Sequence, residues 1–392
     1  MFRASNTVVA VLVGLAQCAF ALRLAFVLRR RRRAAPPARW PAVSVIVPCK
    51  SLESQSGEFD GNIRSLLAQG YPGPHEYLFV CPREADPAHA RLLELLKGNS
   101  SCSILVSDAS PMRCSEKNLN LLYAVERARP ESEIFAFADC DMRVPSDWLR
   151  GLVVALADRA AGASTAPAAY VAHERKPLAF LRMAWMCLPT AAMAAAPLVC
   201  GYSWAIRRED FVELDVAELW RRSLIEDFIL NPLLRSRGRA VAWSAGGLPA
   251  CLEQVTGACF MGTFTKGLRY CRVYSFPIWV VSGLWAFGKL YLWLFFFRAR
   301  MPAVFALMAA LDMAAAAGTM AAFMRLAPET FADLHPFWRR WAVPLAALAV
   351  PAWPPLLAAA FAASALSSTV RWGGYTYQVK GPFDVRVAGR TA

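Results

Sequence analysis

The sequence predicts an α/β domain built on a mostly parallel, Rossmann-like sheet, with transmembrane helices on its N-terminal and C-terminal sides. Three observations predict it. Short apolar strands alternate with amphipathic helices from Val43 to about Asp141, which implies parallel strands with helices on both faces of a sheet. The 392 residues are 57% hydrophobic, more than a soluble domain usually carries, so some segments face lipid. Four segments are long enough to cross ~30 Å of hydrocarbon as helices. They are Val8 to Val27, Phe276 to Phe297, Met301 to Met324 and Trp341 to Leu366.

The first segment has only Arg3 before it and Arg29 to Arg33 after it. A secretory signal peptide has the opposite order of charge. The positive-inside rule then puts the following domain in the cytosol, as part of an integral protein of a bacterial inner membrane or of the Golgi or ER. The arginine run opens a linker over residues 29–42 that can also touch anionic headgroups. Lys289 and Asp312 interrupt two of the later segments, and charges at that depth must be paired or face a cavity. The net charge of +14 is largely explained by basic residues beside membrane helices. No nucleic-acid-binding motif accompanies it, so no nucleic-acid partner is expected. Eleven cysteines form no CxxC, and with four histidines they offer no zinc spacing. Reduced thiols suit a cytosolic domain.

The strands and helices follow in order. "VSVIVP" from Val43 is a buried strand ended by proline. "GNIRSLLAQGYPG" is a helix stopped at Gly70 and Pro72. "EYLFVC" is a strand and "DPAHARLLELLKG" a helix. "SILVSD" is a strand, "CSEKNLNLLYAVERA" a helix with Ser115 as its cap, and "EIFAFADCD" the fourth strand. Ligands of such sheets bind beyond the carboxyl ends of the strands, where Asp139 and Asp141 stand. Ala184 to Gly201 is apolar but contains Pro189 and Pro197, which suits an in-plane or half-buried helix better than a straight span.

Three stretches carry chemistry. Asp139 and Asp141, one residue apart at a strand end, can share Mg²⁺ or Mn²⁺, and the metal can bridge a diphosphate. The plainer reading is a surface turn with an aspartate cap. Glu226 and Asp227 in "LIEDFIL" sit among apolar residues that otherwise read as a buried helix face. There a carboxylate can act as general base; an exposed helix turn is the alternative. Lys266, Arg269 and Arg272 recur every third residue before a membrane segment. They form either a basic membrane flank or a cationic cradle for a phosphate leaving group.

In order and spacing, these stretches from about Val43 to Arg272 resemble glycosyltransferase family 21, the ceramide glucosyltransferases and their bacterial relatives, close to family 2. The resemblance implies a GT-A fold and inverting transfer. It puts Asp86 of "EADPAHARLLELL", Lys117 and Asn118 of "SEKNLNLL", and Asp139 of "DCDMRV" on the nucleotide sugar. Asp139 and Asp141 become the metal ligands and Asp227 of "IEDFILNPLLRSRG" the base. "VSVIVPCK" resembles the family's first strand and following lysine, Lys50. "VCGYSWAIRRED" matches an acceptor-side Gly-x-Ser stretch with a basic pair, Arg207 and Arg208. "KGLRY" stands where the family has (Gln/Arg)-x-x-Arg-Trp, which gives Lys266, Arg269 and Tyr270 catalytic places; Lys266 and Tyr270 depart from the pattern. Asp141 also departs from the Asp-x-Gly of the animal enzymes, toward general family 2. "RWGGYTYQV" resembles a Trp-Arg-Gly...Tyr stretch near the end of such enzymes.

The implied reaction moves a hexose from a UDP-sugar, UDP-glucose or similar, to the primary hydroxyl of a ceramide-like lipid, giving a β-glycoside. Expected domains are a transmembrane helix over 1–28, the linker, a GT-A domain over 43–275 with in-plane helices near 184–201 and 264–275, a transmembrane region over 276–366 and a tail over 367–392. Asp141 and Asp227 must meet at one sugar, so no single crossing separates them. The basic tail favours the cytosol, so one of the three later segments is expected to be interfacial or a hairpin. Rival readings are a family 2 enzyme acting on a hopanoid or polysaccharide, and an inactive membrane scaffold or transporter. The intact set of Asp86, Asp139, Asp227 and Arg269 argues against the latter.

Overall fold

The computed structural model describes residues 2–30, 37–51, 57–244 and 246–390; Arg31 to Arg33 of the arginine run lie outside them. The chain forms two units. A helical unit takes Met1–Arg30, Ala169–Ala196 and Val255–Ser367, and an α/β unit takes Arg31–Ala168, Pro197–Gln254 and Ser368–Ala392. Three segments group otherwise than the expected domains. Residues 169–196 and 255–275 join the helices, and the tail joins the α/β unit.

The helical unit contains α1 (Phe2–Arg30), the short strand β7 (Ala169–Tyr170), α6 (Pro177–Ala195), α10 (Gly257–Tyr274), α11 (Phe276–Arg298), α12 (Pro302–Leu326), α13 (Pro336–Leu348) and α14 (Trp353–Leu366). Several start at a proline in the first turn, where the missing N–H would have no intrahelical partner anyway. Among the described residues, three helices are long and apolar enough to cross a membrane: Arg3–Arg29, Phe276–Arg298 and Pro302–Leu326. The fourth expected segment is broken. Pro336–Leu348 and Val350–Leu366 meet at 53°, where Pro351, Pro354 and Pro355 cannot continue a helix. The two charges that interrupt the spans pair with each other. Lys289 Nζ lies 2.6 Å from Asp312 Oδ1, and the side chains are 1% and 3% exposed.

The α/β unit runs β1 (Val43–Pro48), α2 (Phe59–Leu67), β2 (His75–Cys81), α3 (Pro87–Leu95), β3 (Cys102–Val106), α4 (Glu116–Val125), β4 (Ile134–Ala138), β5 (Met142–Arg143), α5 (Trp148–Ala155) and β6 (Ala161–Thr165). After the helical insertion come β8 (Ser203–Arg207), α7 (Arg208–Glu213), α8 (Val216–Trp220), α9 (Leu230–Ser236), β9 (Ala240–Trp243) and β10 (Ala250–Cys251). Its central sheet has the order β3-β2-β1-β4-β8-β6-β9. β1 to β4 are mutually parallel, and β8 alone runs against its neighbours. All five residues of β4 are buried, as a central strand covered on both faces requires. β8 pairs with β4 so that Ala138 faces Ser203 and Ile134 faces Arg207. The carboxyl end of β4 therefore lies beside the start of β8. The tail is a three-stranded antiparallel sheet of β11 (Thr369–Trp372), β12 (Tyr375–Gly381) and β13 (Asp384–Arg390). All eleven cysteines are free thiols.

The Lys289–Asp312 pair generates a test. Removing one partner leaves an unpaired buried charge, which costs roughly 3–5 kcal/mol, whereas replacing both by apolar residues of similar volume is nearly neutral. Lys289→Met and Asp312→Leu should each lower the melting temperature in detergent, and the double variant should recover most of the loss. Additive losses in the double variant would show that the pair is not the stabilising feature.

Candidate active site

The site forms at the carboxyl ends of β1, β2 and β4. Ser115 caps α4 by accepting a hydrogen bond from Asn118 N at 3.1 Å, which fixes where the first turn points. Lys117, on that turn, places Nζ 2.6 Å from Asp139 Oδ1 and 2.6 Å from Glu226 Oε1. Burial pushes the Lys117 amine down, but the two carboxylates outweigh it and hold the ammonium well above the ordinary lysine range. One cation thus joins the end of β4 to the acidic loop before α9.

That loop is not the helix face its sequence suggested. Glu226 and Asp227 precede α9 and are nearly fully buried. Asp227 binds main chain instead: Oδ1 accepts from its neighbour Phe228 N at 2.6 Å, and Oδ2 accepts from Gly201 N at 2.7 Å. Such side-chain-to-backbone bonds compete with helix formation. Trp220 Nε1 donates to Glu226 O at 3.0 Å, and Ser223 Oγ donates to Ile225 O at 3.1 Å. Trp220 is itself wedged edge-on against Phe137 of β4 and Trp204 of β8. Burial, and then the adjacent Glu226 carboxylate, push Asp227 up to about 7 against the pull of its two backbone donors.

The expected nucleotide-sugar residues take different places. Asn118 is fully buried, and its Nδ2 donates to Trp220 O at 3.1 Å and Ser223 O at 2.9 Å. It anchors the acidic loop rather than presenting its amide at the site. Asp86 stands at the end of β2. Its Oδ1 accepts from Ala88 N at 2.9 Å, capping α3, and from Ser51 N at 2.8 Å, tying in the end of β1. Lys50, one residue before Ser51, pairs with Glu116 and donates to Gly373 O at 2.6 Å. Arg207 and Arg208, matched to the acceptor side, lie at the far end of β8. Arg207 is buried against Asp210 and the Ala161 carbonyl, and Arg208 donates to Arg129 O and Pro130 O. Both hold the fold. Lys266, Arg269 and Tyr270 are on α10 of the helical unit. There Arg269 donates to Ala363 O at 3.3 Å and Arg272 to Ala365 O at 2.7 Å, satisfying carbonyls at the C-terminal end of α14.

Asp141 lies just beyond β4, and its Oδ1 is buried with no hydrogen-bond partner. Burial, then Asp139 and then Glu253, push its carboxyl up to about 7. Among the described residues no three His, Cys, Asp or Glu side chains gather closely enough to hold an ion by themselves. Mg²⁺-type sites commonly use one or two carboxylates and complete the shell with water and substrate phosphates. Asp139 and Asp141, with one orphaned carboxylate oxygen, fit that donor set.

Three features of the site take parts that the sequence did not indicate. Glu253 reaches it because Cys251 of β10 pairs with Met142 of β5, a contact between residues over 100 positions apart that no local pattern announces. Glu226 proves to be the second anchor of Lys117. Gly201 stands in the Gly-x-Ser stretch for a steric reason. A Cβ there would lie 2.4 Å from Glu226 Oε1 and 3.1 Å from Asp227 Oδ2. Gly201→Ala should therefore displace the acid pair without straining the main chain. A misplacement on the order of 1 Å can cost about 10²-fold in rate. We expect that loss of turnover with an unchanged circular dichroism spectrum, and a fully active Gly201→Ala protein would contradict the packing described.

Among solved structures, the chain is similar to a mannosyltransferase from Pyrobaculum calidifontis, described in complex with GDP-Man and Mn²⁺. Identity is 18%, the TM-score 0.43, and the match covers 89% of this chain and 99% of that one. It is also similar to a glucosyl-3-phosphoglycerate synthase from Mycobacterium tuberculosis, described with Mn²⁺, UDP and glucosyl-3-phosphoglycerate. There identity is 12%, the TM-score 0.37, and coverage 59% and 80%. At such TM-scores neither likeness bears on substrate or metal. No curated protein matches significantly in sequence. Kinship rests instead on a match that runs through both units: the model of glycosyl transferase family 21 covers residues 6–382, and the chain belongs to that family of glycosyltransferases.

Proposed function

We propose that this glycosyltransferase moves a hexose, with inversion, from a UDP-sugar such as UDP-glucose to the primary hydroxyl of a ceramide-like membrane lipid. The observation that carries the reading is Asp227: a buried carboxyl raised to about 7, two backbone bonds holding it still, next to the residue that anchors Lys117. A base poised near working pH is what proton transfer from an attacking hydroxyl needs. Asp227 takes that proton as the acceptor oxygen bonds to the anomeric carbon. The bond from that carbon to the diphosphate breaks, and its electron pair leaves with UDP. Asp139 and Asp141 would hold Mg²⁺ or Mn²⁺, which neutralises charge on the departing diphosphate. Lys117 keeps a fixed positive charge beside Asp139. The roles expected of Asp86, Lys266, Arg269 and Tyr270 rest on the family resemblance alone.

The chain order supports a cytosolic α/β unit and tail on one side of the membrane. Residues on either side of α6 belong to one α/β unit, so α6 by itself does not cross. The tail sheet also packs on that unit: Val387 N donates to Met112 O, and Glu116 N to the Tyr377 hydroxyl. An even number of crossings must then lie between residues 255 and 367. In the arrangement we propose, α11 and α12 cross and return, while the bent α13–α14 pair enters and leaves on one face. Single cysteines introduced at the exposed positions Phe383 and Ser236 should be labelled by an impermeant thiol reagent from the same side of sealed vesicles. Labelling from opposite sides would overturn this topology.

The function is tested by giving the purified full-length protein UDP-glucose or UDP-galactose with ceramide or diacylglycerol and analysing products by mass spectrometry. A hexosylceramide should form with Mg²⁺ or Mn²⁺ and vanish with chelator. Because burial raises the Asp227 acid, it holds its proton at low pH, so kcat/KM should rise about tenfold per pH unit up to about pH 7 and then level off. Asp227→Asn should lower turnover by roughly 10²–10⁴-fold and flatten that limb. Turnover of Asp227→Asn at the parent rate would remove Asp227 as the base, and failure of every lipid to accept sugar would remove the proposed acceptor class.

A further inference from the structure

The tail contributes an aromatic wall whose position the mechanism does not use. Trp372 ends β11 and is half-buried, and Lys117 Nζ lies over its ring, 6.0 Å from the centroid. The hairpin that carries the indole is held by several contacts. Trp372 pairs with Tyr375 across a two-residue turn, Gly373–Gly374, whose φ angles of +59° and +77° suit glycine and the twist of a tight hairpin. Lys50 Nζ donates to Gly373 O at 2.6 Å and lies 5.4 Å from the Tyr375 ring centroid. Arg83 donates to the Tyr375 hydroxyl at 3.3 Å. The Tyr377 hydroxyl accepts from Glu116 N, the residue before Lys117, at 3.3 Å. The ends of β1 and β2 and the start of α4 thus all grip the same hairpin.

A hexose undergoing the proposed transfer has its diphosphate at Asp139 and Asp141 and its anomeric carbon within reach of Asp227. Lys117 spans the interval between those groups, touching Asp139 on one side and the neighbour of Asp227 on the other. The sugar ring must therefore lie beside Lys117, on the ground that the Trp372 ring faces. An indole face carries negative charge density that attracts cations. The C–H hydrogens on a pyranose face, made slightly positive by the ring and hydroxyl oxygens, are attracted to it in the same way. We propose that Trp372 contacts the hexose of the donor, so that the C-terminal sheet supplies a sugar-binding wall to a site otherwise built from residues before the C-terminal helices. This rests on the donor reading above.

The test separates sugar from nucleotide. Binding of UDP, UDP-glucose and UDP-galactose to the full-length protein in detergent is measured by calorimetry for the parent, Trp372→Ala and Trp372→Phe. An aromatic contact of this kind is worth about 3- to 10-fold in affinity. Trp372→Ala should weaken a UDP-hexose by that factor and leave UDP unchanged, with Trp372→Phe close to the parent. Equal losses for UDP and UDP-hexose would mean that the indole serves the nucleotide or only the fold, and unchanged UDP-hexose binding would mean that it serves neither; either result overturns the proposal. If the parent bound UDP but gained nothing from the hexose, the sugar contact would be overturned while the nucleotide site stood. Failure of the parent to bind any of the three would overturn the donor reading itself.

Discussion

The site depends on one ammonium ion. Lys117 lies between Asp139 and Glu226 and so couples the end of β4, the first turn of α4 and the acidic loop before α9. The Glu226 carboxylate is almost wholly buried, so deleting Lys117 would leave it without its counter-charge in low dielectric. Much of the surrounding structure exists to keep Lys117 there. The Ser115 cap orients its turn, buried Asn118 ties that turn to the loop, and Trp220 pins the loop to the aromatic core under β4 and β8.

Burial and mutual crowding set the acidity of its neighbours, and one cation only partly offsets them. Four carboxyls, Asp139, Asp141, Glu226 and Asp227, share the influence of one lysine, and two of them are pushed up to about 7. The surplus negative charge has two physical consequences. Added to burial, it makes Asp227 reluctant to lose its proton, which suits a base, and it leaves the Asp139–Asp141 end suited to a divalent cation arriving with a diphosphate. The helical unit solves the same electrostatic problem more simply. There one buried lysine meets one buried aspartate, and the pair is locally neutral.

The tail changes how the chain must be understood. Although it is separated from β1 by more than 300 residues of sequence, its hairpin rests on Lys50, Arg83 and Glu116. With the apolar helices lying between its parts in the sequence, the topology we propose has those helices return to the side from which they left. The bend of 53° between Pro336–Leu348 and Val350–Leu366 provides a place for such a return.

The strands and helices of the α/β unit were legible in the sequence, as was the place where a site would form. Local periodicity and the proline and glycine stops fixed β1 to β4 and their helices, and the strand-end rule pointed to Asp139 and Asp141 before any contact was known. Hydropathy located the apolar helices, and the cost of intramembrane charge anticipated that Lys289 and Asp312 need partners. Tertiary structure decided the rest, because it rests on contacts distant in sequence. Apolar spacing around "LIEDFIL" suggested a helix, but bonds from Gly201 and Phe228 to Asp227 hold it as a loop. That Asn118 anchors the acidic loop was not legible in the sequence, since only the fold places the carbonyls of Trp220 and Ser223 around it. Glu253 and Trp372 reach the site through strand pairings and hairpin contacts that carry no local signature. The sequence fixes which groups can do chemistry; only the packed chain decides which of them share one ammonium ion, because electrostatic coupling is set by distance and burial rather than by order along the chain.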